Sequence, residues 1–434
     1  MDNALAIGLL TLAVGVVGVV VAILALVVGR PVLLDWWVKR SQRRFREARK
    51  LLRDSRVPLS SAAGRLYPFV PPRNLPLLFE TGWLPRRPLG LESVVVSADA
   101  FERDCAPLIG LGRSLPYTAA HTRYVSYADA VEDLDRPSEF ANRACYRLTS
   151  VEPGDTAWRL HVTKTHYFDM LNSCEAVGFE FAASSIDRRK APRAAKNITR
   201  LSSPRRAAGG PFELERRCVV PGINTLTIRS DGADTGFFMH YRQISVAEPD
   251  SVATAMGTNH VAPAGEFQPA GIDPTNFAKE ADIWRTIVRE YAEEFLQHPE
   301  AAGRSGATID YDKDEPYSRI NKARKTKGCW VRFLGLGVDP LSLKAEVLTV
   351  CVFKADVFDK IFRKALRAKA SNAEGTLLTG HDFRGIPFDL KNVETFTCGV
   401  HKTLPAGAAC LALAWQWRDQ LMSPDPSWHQ SKQR

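Results

Sequence analysis

The stretch DIWRTIVREYAEEFLQ, residues 282–297, decides how the chain folds. Ile283, Trp284, Ile287, Val288, Tyr291, Phe295 and Leu296 recur at helical spacing, so they form one apolar face that must be buried against something. Asp282 stands where an N-cap is wanted, and the pattern predicts a helix over 282–297. Glu290, Glu293 and Glu294 follow the i, i+3, i+4 spacing, which puts three carboxylates on one face. Three acids so placed either face solvent or gather a cation, and magnesium is the hard ion that suits carboxylate oxygens.

The flanking sequence supplies the surface for that helix. Residues 224–228 and 237–246 read as two strands around a turn at 230–234, and 259–267 reads as a strand running into a loop. Residues 329–334 and 345–354 are further strands, 334–340 a turn, 299–328 an exposed insertion, and 406–422 a final helix. Strands, a helix, more strands and a helix predict an α/β sandwich on a mixed sheet. Ahead of it, 146–148 and 158–162 alternate as strands and 167–181 has helical spacing. This earlier region is either a separate domain or an extension wrapped on the next.

The N-terminal segment sets the class of protein. Sixteen of the residues between Ala4 and Gly29 are Leu, Ile or Val and none is charged. A helix of that length is about 39 Å long, enough to span a hydrocarbon core of about 30 Å. The run exceeds the apolar region of a signal peptide. Ala4, Gly8, Thr11, Gly15, Gly18, Ala22, Ala25 and Gly29 alternate by four and three and form a stripe of small side chains. Such a stripe lets helix backbones approach and associate in lipid. Cations follow the run at Arg30, Lys39, Arg40, Arg43, Arg44 and beyond, which predicts a single-pass inner-membrane protein with its N-terminus outside and its globular part in the cytoplasm. Trp36 and Trp37 suit an interfacial anchor.

The chain of 434 residues carries a formal net charge of +10, much of it in this juxtamembrane stretch. A second basic stretch, 188–206, reads as a solvated loop. The eight cysteines contain no Cys-x-x-Cys pair, which argues against a zinc site and suits reduced cytosolic thiols. No helix-turn-helix or aromatic–basic interleaving is present, so nucleic acid is not an expected partner. The organisation expected is a transmembrane helix over 4–29, a basic linker over 30–90 that is irregular from 55, an accessory mixed α/β region over 91–210, the sandwich over 215–422 and a polar tail over 423–434.

Pro263-Ala264-Gly265-Glu266-Phe267 followed by Arg289-Glu290-x-x-Glu293-Glu294 resembles the Nudix family. The resemblance covers about 215–422 and implies a Nudix-like α/β/α fold whose strand–loop–helix motif holds a divalent cation against a diphosphate. It implies Glu290, Glu293 and Glu294 as magnesium ligands, Glu293 and Glu294 as the catalytic pair if the site is active, and Gly265, Glu266 and Arg289 as ligand-binding residues. The family pattern places Gly and Glu fourteen and eight positions before the Arg, where Thr275 and Ala281 stand, and Gly where Leu296 stands. The acids are kept and their scaffold is altered.

With the anchor, this resembles the membrane-attached Nudix-like effectors of cyclic-oligonucleotide antiviral (CBASS) systems. The function that resemblance implies is binding of a cyclic nucleotide by the head, self-association through Gly8, Thr11, Gly15, Gly18, Ala22 and Ala25, and disruption of the membrane. The alternative is a membrane-anchored magnesium-dependent hydrolase of a nucleoside diphosphate derivative.

Overall fold

The computed structural model describes residues 33–424 except 69–71, 73, 103–110, 120, 138–139, 187–201, 233, 243–256, 272–275, 300–308, 369–374 and 400. The stretch 4–29, with its small-residue stripe, lies outside the described residues; among those described, no helix is long and apolar enough to cross a membrane.

The fold is mixed α/β, as the alternating patterns predict. Its central sheet runs in the order Leu89–Gly90, Cys329–Val338, Ala345–Lys354, Gly222–Ser230, Thr235–Phe237, Ile386–Pro387, with Ala264–Glu266 also paired to Gly222–Ser230. Only the pairing of Ala345–Lys354 with Gly222–Ser230 is parallel in this sheet. Strand alternation sorts the two faces. Leu226, Ile228, Leu348, Val350 and Val352 pack with Cys410, Leu411, Leu413 and Ala414 of the helix Pro405–Gln416. Ile223, Val347, Cys351 and Phe353 pack on the opposite side with Tyr291, Phe295, Phe358 and Phe362. The sheet is therefore buried on both faces between helices, and its strands read as nearly continuous apolar runs.

Three expectations are corrected. The strand Cys329–Val338 continues through the glycines read as a turn. Gly335, at φ 143°, absorbs a register shift against Ala345–Lys354 and lets the ladder resume. The insertion expected over 299–328 contains a packed helix, Tyr317–Lys325, with Tyr317, Ile320 and Ala323 buried. The expected linker is not a tether in its described part. Residues 33–54 are helical, Arg56–Gly64 is a second helix, and Phe45, Ala48, Leu52, Leu59, Ala62 and Ala63 are buried in the same core as the sheet.

Cations in this stretch are drawn inward as well. Arg49 donates to Asp135 at 2.7 Å and to the Tyr127 hydroxyl at 2.9 Å. Arg56 bridges Glu175 and Asp339 at 3.2 and 3.5 Å, and Ser60 donates to Asp339 at 2.7 Å. The basic stretch after 188 behaves likewise where it is described: Arg205 is buried and donates to the Pro340 carbonyl at 2.8 Å.

The region 91–210 is wrapped on the sandwich. Its sheet, in the order Val94–Glu102, Trp158–His166, Ala144–Glu152, shares the core through Trp158 against Phe333, with ring centroids 4.8 Å apart. Leu148 N–H donates to the Val219 carbonyl at 2.8 Å, and the Tyr146 hydroxyl to that of Phe277 at 2.8 Å. The expectation of reduced thiols throughout is also corrected, since Cys218 is disulfide-bonded and fully buried. Burial shields a disulfide from exchange, which depends on access for the attacking thiolate. The tail begins fixed: Arg332 donates to the carbonyls of Ser423 and Pro424 at 3.1 and 3.0 Å.

Candidate functional site

The acidic helix forms as its sequence demands. The Asp282 side chain accepts from Arg285 N–H, capping the helix Ile283–Glu290. From Tyr291 to Phe295 it widens into a π turn, a local irregularity that often marks functional positions. The turn sets the Tyr291 hydroxyl 2.6 Å from that of Thr227, which itself donates to the Ala262 carbonyl at 2.6 Å. Helix, sheet and the loop before Ala264 are thereby tied at one buried point.

Successive residues of the helix then hold that loop. Glu294, buried, accepts from Ala264 N–H at 3.0 Å. The Glu290 carboxylate lies against Gly265: a Cβ there would sit 2.1 Å from Glu290 Oε1, so a side chain at 265 requires that carboxylate to move. Arg289 is buried and donates to the Gln268 carbonyl at 2.5 Å, the Tyr311 hydroxyl at 2.6 Å and Thr286 Oγ1 at 3.2 Å, with Glu280 at 3.4 Å. Burial opposes the charge of its guanidinium, but Tyr311 and Glu280 outweigh that and hold the charged form more firmly than usual. Arg289 thus positions the loop from within.

Glu266 is turned the other way. Gly265 faces Glu290, so its extended neighbour projects to the opposite side, where Glu266 Oε1 meets Lys344 Nζ at 2.6 Å. Glu266, Gly222 and Glu346 are register partners across three adjacent strands. The absent side chain of Gly222 leaves room for Glu346, whose Oε2 accepts from Asn224 at 2.9 Å. Burial raises the Glu346 carboxyl above the ordinary range, and Lys344 opposes that shift.

The structure therefore brings Gly265, Arg289, Glu290 and Glu294 together around one loop, leaves Glu293 half-buried beside them, and separates Glu266 from the group. Among the described residues no three His, Cys, Asp or Glu side chains are already gathered as a metal cage. Glu294 accepts the Ala264 N–H through Oε1, and the Glu290 carboxylate lies against Gly265. Sequence reading missed Lys344, Thr227 and the Tyr291 hydroxyl, because each acts through a partner far along the chain. His260 is buried against the last helix, 2.6 Å from where a Gly407 Cβ would lie, a packing position.

No protein-family model and no curated protein matches the chain.

Proposed function

We propose that this protein is a ligand-gated membrane effector of a cyclic-oligonucleotide antiviral system, with a Nudix-like head that binds a nucleotide and a transmembrane helix that executes the response. The observation that carries the reading is the seating of the helix that follows the apolar run in sequence: its described residues 33–54 are held through Phe45, Ala48 and Leu52 in the same core as the acidic helix. A hydrolase that needs only to stay near a membrane is served by a loose tether. A receptor that must set the orientation of its membrane helix needs a junction without slack.

Arg289 and Glu294 hold the loop 264–268 through direct hydrogen bonds, which suits a rigid binding surface. The magnesium-dependent hydrolase ranks second. Ligand can drive assembly only by binding the assembled state more tightly than the dispersed one. The test is dye release from liposomes carrying the full chain, challenged with cyclic di- and trinucleotides. Leakage that depends on one such ligand and is abolished by Gly15→Ile with Gly18→Ile is expected. Leakage unaffected by those substitutions contradicts the proposal.

A further inference from the structure

A cavity of about 390 Å³ opens between helix 33–54 and the hairpin Tyr117–Ala119/Thr122–Arg123, within the range of small-ligand sites. It shares no lining residue with the loop at 263–268. The two walls are joined by side chain–backbone hydrogen bonds: Tyr117 N–H donates to Ser41 Oγ at 3.0 Å, and Gln42 Nε2 to the Tyr117 carbonyl at 2.9 Å. Phe45 and Phe179 form its buried base.

Four guanidinium groups line it, from Arg40, Arg44, Arg113 and Arg123. Arg123 is oriented by the hairpin itself, 4.0 Å above the Tyr117 ring with Nη2 on the Tyr117 hydroxyl at 3.0 Å. Arg40 lies over the rings of Trp36 and Trp37, at 4.9 and 5.8 Å. Among the described residues Glu180 is the one carboxylate lining the cavity, and it accepts from the hydroxyls of Ser184 and Ser202 at 3.0 and 2.6 Å. A concave wall carrying Arg40, Arg113 and Arg123 raises the local concentration of anions, and guanidinium forks match phosphate oxygens. Trp37 and Tyr117 add aromatic surface of the kind on which bases stack.

We infer that this cavity is a second site, for a phosphate ester, on the helix that follows the apolar run in sequence; its link to the membrane rests on the function proposed above. Its occupant would bridge helix 33–54 to the hairpin and so restrain the segment that leads into the apolar run. The phosphate has two sources: a nucleotide from solution, or the headgroup of a lipid beside the Trp36–Trp37 pair.

The test is calorimetric titration of the detergent-solubilised full chain with cyclic di-AMP and with glycerol 3-phosphate, repeated on Arg113→Ser and Arg40→Ser. Both arginines are exposed, so the unfolding midpoint should stay at the parent value. Each substitution should weaken binding about tenfold to a hundredfold, the worth of a charge-assisted hydrogen bond. Tighter binding of cyclic di-AMP assigns the site to a nucleotide, and binding of glycerol 3-phosphate alone assigns it to a headgroup. No saturable binding of either probe overturns the inference. Binding that survives both substitutions also overturns it, while leaving the reading of the head intact.

Discussion

At Gly265 the Glu290 carboxylate occupies the space where a side chain would stand. Gly265→Ala should push the Glu290 carboxylate aside and cost about 1 kcal/mol or less, because that carboxylate ends a flexible, half-buried side chain. Denaturant unfolding of the full chain checks this, and adding Glu290→Ser should restore much of the loss. Lys344 offers a second measurement. Burial works against its charge, yet Glu266 and Glu346 outweigh burial and push it up to about 12 from 10.5. A folded pKa above the unfolded one stabilises fully below about 10.5, and that contribution is lost as pH rises through about 12. The unfolding free energy of Lys344→Met should fall on the order of 1–2 kcal/mol below the parent near neutral pH, and the gap should narrow as pH approaches 12. A gap independent of pH would mean that Lys344 carries no stabilising charge. Asp282 was legible as a cap because capping is local. Arg49 and Arg205 were not legible as buried residues, because their acceptors, Asp135 and the Pro340 carbonyl, are far away in sequence.

At the scale of elements, periodicity located the acidic helix, the strand Ala345–Lys354 and the last helix, since each buries a face that its own spacing declares. It failed at the helix 33–54, where runs of Arg and Lys mask Phe45, Ala48 and Leu52 at i, i+3 and i+7. It also failed at Gly335, where a bulge, not a turn, uses the glycine. The junction is checked by substitution within that helix. Phe45→Ala and Leu52→Ala should each cost about 2–5 kcal/mol in chemical unfolding, as large-to-small core changes do. Leu33→Ala, at an exposed position, should stay within about 0.5 kcal/mol of the parent. Equal, negligible effects at all three would restore the linker.

For the whole molecule, one core joins the juxtamembrane helices, the wrapped sheet and the acidic helix, so a change of state in the head has no slack segment in which to dissipate among the described residues. Packed interfaces shift between discrete arrangements more readily than they deform continuously. Under the proposed function, the sequence stripe Gly8, Thr11, Gly15, Gly18, Ala22 and Ala25 would serve a membrane helix whose association depends on how it is presented. The deciding measurement is ligand-triggered dye release from liposomes after a flexible Gly-Ser segment is inserted between Arg30 and Leu33 of the full chain. Rigid coupling requires that nucleotide binding survive the insertion while leakage is lost. Leakage at the parent level through a floppy junction would contradict it.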